Sequence, residues 1–419
     1  MSKPAMSEED PIPRFTIDLA RPPRERYDEV VRVFGARMRS LTGLFDSLLA
    51  TFIASAWLRA LVIGLCKVFL RRVYDDEENE EIRGVAAASG VPVYLLVALN
   101  SLLDCLLGCT SGAVPVSFGE MPIPRYRHNA RGAGSGLYLT RLMHFRTLDW
   151  GMDELRDLLV ELEFVDSSAH PSERLVGRSI TYAGYVGCLT AVRRGLSISL
   201  NHRACHDCPS RYLYWHQLMV LLGKRRSISS TLRSFLLQPL NQVDEVGDAA
   251  DSSTTSLIKR ATALTLVPSA PCYLILCDGK EAAVIVKDYI TGTVRSAREF
   301  IAQTNHDPND GEKDATRQHE TVFRQDRREV MTSAFKIEGW VEESTERLQC
   351  IQKKWDRLMQ SRSKAENLRP KRSITEKTLQ KWISDYPTLN ECSHFATILD
   401  PETGRISWLV RGPFEDPEG

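Results

Sequence analysis

The strongest constraint on this fold is Asp278-Gly279, which stands between Tyr273-Leu274-Ile275-Leu276-Cys277 and Ala283-Val284-Ile285-Val286. Asp-Gly tolerates the positive backbone angles of a tight hairpin turn, and both flanks are short and apolar, so the spacing predicts paired antiparallel strands. Phe395 to Leu399 and Ile406 to Val410 flank Pro401-Glu402-Thr403-Gly404 in the same way. Antiparallel sheet is therefore expected to dominate the chain after Cys109, with helical stretches around 211–237, 294–302 and 341–361.

The first hundred residues read differently. Residues 24–74 and 78–107 carry apolar side chains at helical spacing, with little punctuation beyond Gly84, Gly90 and Pro92. Leu41, Leu44, Phe45, Leu48, Leu49, Phe52 and Ile53 form a stripe that a helix must cover, and core packing is the expected fate. Charges at Asp46, Arg59 and Lys67 leave Ser47 to Leu58 as the longest uncharged run, twelve residues. That is short of the about twenty needed to span a bilayer. The class expected is α+β, with an α-helical N-terminal segment ahead of a sheet-rich body.

Charge narrows the function classes. Lys and Arg number 54 and so do Asp and Glu, so no global field favours nucleic acid. The basic stretch from Lys353 to Arg372 is interrupted by Trp355, Asp356, Leu358 and Glu366 and reads as a solvated helix face, so no nucleic-acid partner is expected. Asn305 to Gln325 is polar enough to be a solvent loop. The polar, acidic stretch Met1 to Asp10, the lack of an Asn-x-Ser/Thr sequon and the scattered spacing of ten cysteines point to the cytoplasm rather than the lysosome or vacuole. His202, Cys205, His206 and Cys208 crowd four zinc-type ligands into seven positions, too few to surround one ion comfortably, so neither metal nor cofactor is expected.

Cys109, in Leu107-Gly108-Cys109-Thr110-Ser111, is the candidate nucleophile. Only the thiolate attacks strongly, and a free thiol with a pKa of about 8.5 needs a base or a nearby cation. Cutting the chain before Cys109 would create an α-amine, ordinarily titrating near 7.7 to 8.0, within reach of its own side chain. Taken alone, such a residue is far more often an inert buried thiol.

Several segments in collinear order give Cys109 its context. Glu80-Glu81-Ile82-Arg83-Gly84-Val85-Ala86, Gly90-Val91-Pro92, Asn100 and Asp104 precede it. Phe145-Arg146-Thr147-Leu148-Asp149-Trp150-Gly151, Tyr182-Ala183-Gly184-Tyr185-Val186-Gly187, Ser197-Ile198-Ser199-Leu200-Asn201, Gln303-Thr304-Asn305-His306-Asp307 and Asp326-Arg327-Arg328 follow it. Together they resemble the acid ceramidase and N-acylethanolamine acid amidase family of N-terminal-nucleophile cysteine hydrolases. Pro13 to Leu19 and the wording Thr147-Leu148-Asp149-Trp150-Gly151 are most similar to fungal members.

The resemblance implies an αββα sandwich and self-cleavage at Gly108/Cys109, dividing the chain into an α subunit, 1–108, and a catalytic β subunit, 109–419. It implies a lipid amide substrate, ceramide or an N-acylethanolamine, split to fatty acid and amine, with peripheral membrane contact through the N-terminal segment. Cys109 would attack, Arg146 would favour its thiolate, Asp149 would hold the α-amine and Asn305 would donate to the oxyanion. Arg327 matches the family's late arginine, and Asn201 and Tyr185 would contact substrate. Two departures stand out: His202 replaces a glutamate of the animal enzymes, and about twenty residues rich in Gly, Pro and Arg are added between Cys109 and Arg146. They motivate the alternative of a catalytically impaired lipid-binding pseudoenzyme of the same fold.

Overall fold

A computed structural model describes residues 11–39, 41–102, 108–120, 138–203, 208–238, 257–307, 340–363 and 373–412. The leader opens with strand β1 (Arg14–Asp18) and continues as helices α1 (Asp28–Met38), α2 (Leu41–Phe52), α3 (Ala56–Phe69), α4 (Asp76–Ser89) and α5 (Val93–Leu102). Asp75 starts α4 by accepting the amides of Glu77 and Glu78, and Gly90 stops it at φ 76°, where a side chain would be strained.

The body follows as β2 (Gly108–Glu120), β3 (Tyr138–Asp149), α6 (Asp153–Arg156), β4 (Leu159–Val165), β5 (Leu175–Tyr182), β6 (Thr190–Arg193) and β7 (Leu196–His202). Helices α7 (Ser210–Leu221), α8 (Ile228–Leu237) and α9 (Leu257–Thr265) lead to β8 (Cys272–Cys277), β9 (Ala282–Lys287), β10 (Gly292–Ala297) and β11 (Ile301–Gln303). Helices α10 (Trp340–Ser363) and α11 (Glu376–Ser384) precede β12 (Ser393–Asp400) and β13 (Arg405–Arg411).

The strands form an eight-stranded sheet, β1-β4-β5-β6-β7-β8-β9-β10, and a five-stranded sheet, β11-β2-β3-β12-β13. Because strand side chains alternate between faces, each sheet sorts its residues into two cores. Tyr273, Ile275 and Cys277 of β8 meet Ala113 and Leu142 of the smaller sheet between the layers. Leu274 and Leu276 turn the other way, into the core that holds the leader helices with α8 and α9. Val114, Val116, Met143 and Phe145 pack outward against Ile351 and Trp355 of α10 and Leu379 and Ile383 of α11. The order of layers is helix, sheet, sheet, helix, the αββα sandwich expected.

Both anticipated hairpins form, β8 with β9 and β12 with β13. The helix expected at 294–302 does not: that stretch is β10 and β11. Ser296-Ala297-Arg298-Glu299 suits a helix locally, but the open edge of β9 offers Gly292 to Ala297 a complete ladder, and tertiary pairing overrides propensity. The leader is also not purely helical, since β1 pairs in parallel with β4, from Arg14 opposite Glu161 to Asp18 opposite Val165.

Core packing was the expected fate of the apolar stripe from Leu41 to Ile53; Phe45, Leu49 and Ile53 are half-buried, and the side chains of Leu41, Leu44, Leu48 and Phe52 lie outside those described. Phe45 packs edge-on to Tyr94 against the core. Along α3, by contrast, no residue is buried, and Trp57, Leu61, Leu65, Val68 and Phe69 lie exposed, Trp57 at 72 %. Among the described residues no helix is long and apolar enough to cross a membrane.

Candidate active site

Cys109 is the second residue of β2, opposite Leu148 of β3, with Gly108 opposite Asp149. Pairing continues to Glu120 opposite Tyr138, so the added residues follow the far end of the hairpin and leave the strands around Cys109 in register. Alternation points Cys109 and Ser111 of β2, His144 and Arg146 of β3 and Ser197, Ser199 and Asn201 of β7 into one polar lane between the sheets. Ser111 donates to Asn201 Oδ1 at 2.8 Å, and His144 lies 2.9 Å from both Ser197 Oγ and Ser199 Oγ.

The thiol is fully buried. Arg146 Nη2 donates to Cys109 Sγ at 3.0 Å and to the Leu200 carbonyl at 2.7 Å, while Nη1 donates to the Leu189 carbonyl at 2.6 Å. Two carbonyls from separate segments thus aim the guanidinium at sulfur. Burial pushes the Cys109 thiol up to about 11, against the pull of Arg146. The Cys109 thiol is therefore neutral at physiological pH.

Asn305 meets the backbone nitrogen of Cys109. The Cys109 amide donates to Asn305 Oδ1 at 2.8 Å, Arg347 Nη2 donates to the same oxygen at 3.1 Å, and Asn305 Nδ2 donates to the His202 carbonyl at 2.8 Å. Two donors on one side and an acceptor on the other fix which end of the amide is oxygen. Asn305 was expected to donate its amide nitrogen to an oxyanion; here Nδ2 faces the His202 carbonyl and the oxygen faces the Cys109 nitrogen.

Asp149, expected to hold that nitrogen, is engaged elsewhere. Ser393 donates to Asp149 Oδ1 at 2.5 Å and Arg347 Nη1 lies 3.4 Å from Oδ2. Burial raises its carboxyl above the usual range, and Arg347 is the largest influence holding it down, ahead of Ser393 and Arg146.

Asn201 and Tyr185, expected to contact substrate, are as fully buried as Cys109. Asn201 is fully buried, its Oδ1 taken by Ser111 and its Nδ2 donating to the Gln303 carbonyl at 3.0 Å, so it ties β7 to β2 and to the Asn305 loop. Tyr185 is fully buried beside Gly187, in the turn joining β5 and β6. Asn305 to Asp307 are likewise no solvent loop: Asn305 and His306 are buried, and Asp307 is gripped by two nitrogens of Arg203 and by Tyr273 Oη at 2.6 Å. The remainder of that loop, Arg327, Cys205 and His206 lie outside the described residues. Among those described, no His, Cys, Asp and Glu group is placed to hold a metal.

Sequence reasoning missed Arg347, Ser393 and Ser344. Ser344, Arg347, Ile351 and Trp355 are all buried along one face of α10. That i, i+3, i+7, i+11 stripe, with an arginine inside it, was the available signal.

Comparison with known proteins bears on the whole chain. A family model described as the beta subunit of N-acylethanolamine-hydrolyzing acid amidase matches residues 10–74. Acid ceramidase of Mus musculus is 25 % identical over 96 % of this chain and 86 % of its own length. The Homo sapiens protein is 23 % identical over the same shares. The chain is thus similar, over most of its length, to acid ceramidases, and over residues 10–74 to N-acylethanolamine-hydrolyzing acid amidase. Acid ceramidase of Rattus norvegicus aligns over 93 % of the chain at 23 % identity. A solved Caenorhabditis elegans ortholog of N-acylethanolamine-hydrolyzing acid amidase superposes with a TM-score of 0.42 at 17 % identity, covering 70 % of this chain and 93 % of its own. The relatives named here are animal proteins, so the fungal likeness rests on the wording of Pro13 to Leu19 and Thr147 to Gly151.

Proposed function

We propose that this chain is a hydrolase of N-acylated lipids that activates itself by cutting Gly108–Cys109, with ceramide the first substrate to try. One observation carries the reading: Arg146 holds the Cys109 sulfur at 3.0 Å while Asn305 holds the Cys109 nitrogen at 2.8 Å, two groups that the cut would turn into nucleophile and base. In the cut, the thiol gives up its proton as sulfur attacks the Gly108 carbonyl carbon, the peptide nitrogen takes a proton and leaves as the Cys109 amine, and water hydrolyses the resulting thioester, releasing Gly108 as a carboxylate and restoring the thiol. In turnover, that amine takes the thiol proton, sulfur attacks the lipid amide, and the same proton goes to the departing amine. Water then splits the thioester and frees the fatty acid.

The exposed apolar length of α3 supports peripheral contact with a lipid surface. Exposed Tyr214, Trp215 and Leu218 on α7 extend the same character, since both helices pack on α5 and Gly223 after α7 meets Arg72 after α3.

The test is intact mass of wild type beside Cys109→Ala, followed by assay of ceramide and N-acylethanolamine. Wild-type fragments 1–108 and 109–419, absent from the variant, with release of fatty acid, meet the expectation. A chain that stays whole from acid to neutral pH and releases nothing instead leaves the lipid-binding pseudoenzyme.

A further inference from the structure

Arg347 lies far along the chain from every motif that carries chemistry, yet its guanidinium reaches the middle of the site. It is 3 % exposed, in the second turn of α10. One nitrogen lies 3.4 Å from Asp149 Oδ2 and another donates to Asn305 Oδ1 at 3.1 Å. Ser344, one helical turn earlier, accepts the Asn305 backbone amide at 2.9 Å. Helix geometry puts positions three apart on one face, so α10 meets Asn305 through backbone and side chain together.

We infer that Arg347 is the positioning residue of this site, a clamp that sets Asn305 against the Cys109 nitrogen and ties Asp149 to the same guanidinium. The inference rests on the self-cleaving hydrolase reading. A planar guanidinium suits the task, because it can hold a carboxylate and an amide oxygen in fixed relation through separate nitrogens, which a single ammonium cannot. A cation on Asn305 Oδ1 also draws electrons from the amide and strengthens Nδ2–H as a donor. Buried Asp149 faces Arg347 and Glu343 of α10, Arg146 of its own strand, Ser393 of β12 and Glu391 and Cys392 just before it, and the Cys109 thiol of β2. Two of these groups are cationic, and Arg347 is the one that touches the carboxylate.

The test uses the full chain in two arms. In a Cys109→Ala background, carboxyl-labelled aspartate is titrated by NMR, with Asp149→Asn identifying the signal. Arg347→Ala should move its midpoint to higher pH, and Arg347→Lys should return most of that change. With Cys109 present, Arg347→Ala should slow self-cleavage about 100-fold or more, the scale for losing a preorganised site donor. Arg347→Lys should restore the acid limb of the pH profile but not the rate. An unmoved midpoint, or an Arg347→Ala chain that cuts at the parental rate, overturns the inference. Should wild type never cut, the hydrolase reading falls, and the midpoint arm still judges Arg347.

Discussion

Arg233 of α8 holds both carboxylate oxygens of Glu81 on α4, Nη2 at 2.7 Å, and the pair is buried. Arg26 reaches the same carboxylate at 3.0 Å, so residues on either side of Gly108/Cys109 share one buried ionic knot. After a cut the two pieces should stay together: native mass spectrometry should find a complex, with separate masses only under denaturation. Glu81→Ala should cost about 3–5 kcal/mol, because it takes the paired carboxylate from buried Arg233. A 1–108 fragment that elutes alone from a native column would contradict this.

Gly112 is required by the closeness of β2 to β11. A Cβ there would lie 2.3 Å from the Ile301 carbonyl oxygen and 2.7 Å from Phe145 Cζ. Backbone cannot yield as a flexible side chain can, and β11 leads directly to Asn305. Gly112→Ala should destabilise by about 1–3 kcal/mol and abolish self-cleavage. Thermal melting and intact mass check both halves; a variant that melts lower yet cuts normally would refute the link to Asn305.

Two histidines set how the fold answers acid. His144, between Ser197 and Ser199, and His394, accepting from Tyr182 Oη and donating to the Trp150 carbonyl, are each pushed down to about 3 by burial. A depressed folded pKa contributes stability that is whole above the ordinary histidine range and is lost as pH falls toward 3. At pH 5 the loss should already be about 2 kcal/mol for each. Glu78, pushed up to about 7 by burial, works in the opposite sense, so variants must be compared with wild type. Denaturant melts at pH 7 and pH 5 should show a smaller acid penalty for His394→Asn than for wild type; equal penalties would disprove the assignment.

The apolar length of α3 predicts lipid binding that depends on few side chains. Trp57→Ser with Leu61→Ser should cut sedimentation with neutral phosphatidylcholine vesicles severalfold and leave the melting temperature unchanged, since both positions are exposed. Unaltered sedimentation would move the contact elsewhere.

Much of the site was legible because its members sit in short motifs: Cys109, Arg146, Asp149 and Asn305 lie together, each within contact of another member or of Arg347. The three-residue step from Arg146 to Asp149 would put them on opposite faces of a regular strand. An irregularity opposite, where β12 fits an extra residue between Ser393 and Phe395, marks the departure from regularity there. Alternation could tell that Asn201 points inward, but not that Ser111 and Gln303 occupy its amide. Arg347 was hidden because α10 is rich in charge, and a helix pattern does not say which charged residue faces inward. The 294–302 stretch failed for the opposite reason: local preference was read where a neighbouring edge decided.

The parallel ladder of β1 with β4 also orders events in time. Phe15 cannot find its place opposite Leu162 until the ribosome has made well over a hundred further residues, Cys109 among them. The N-terminal strand must therefore wait, its apolar face unsatisfied, while β2, β3 and β4 are synthesised. Severing the chain before that closure would release the waiting strand from its partner, so the proposed self-cleavage would have to follow the pairing of β1 with β4.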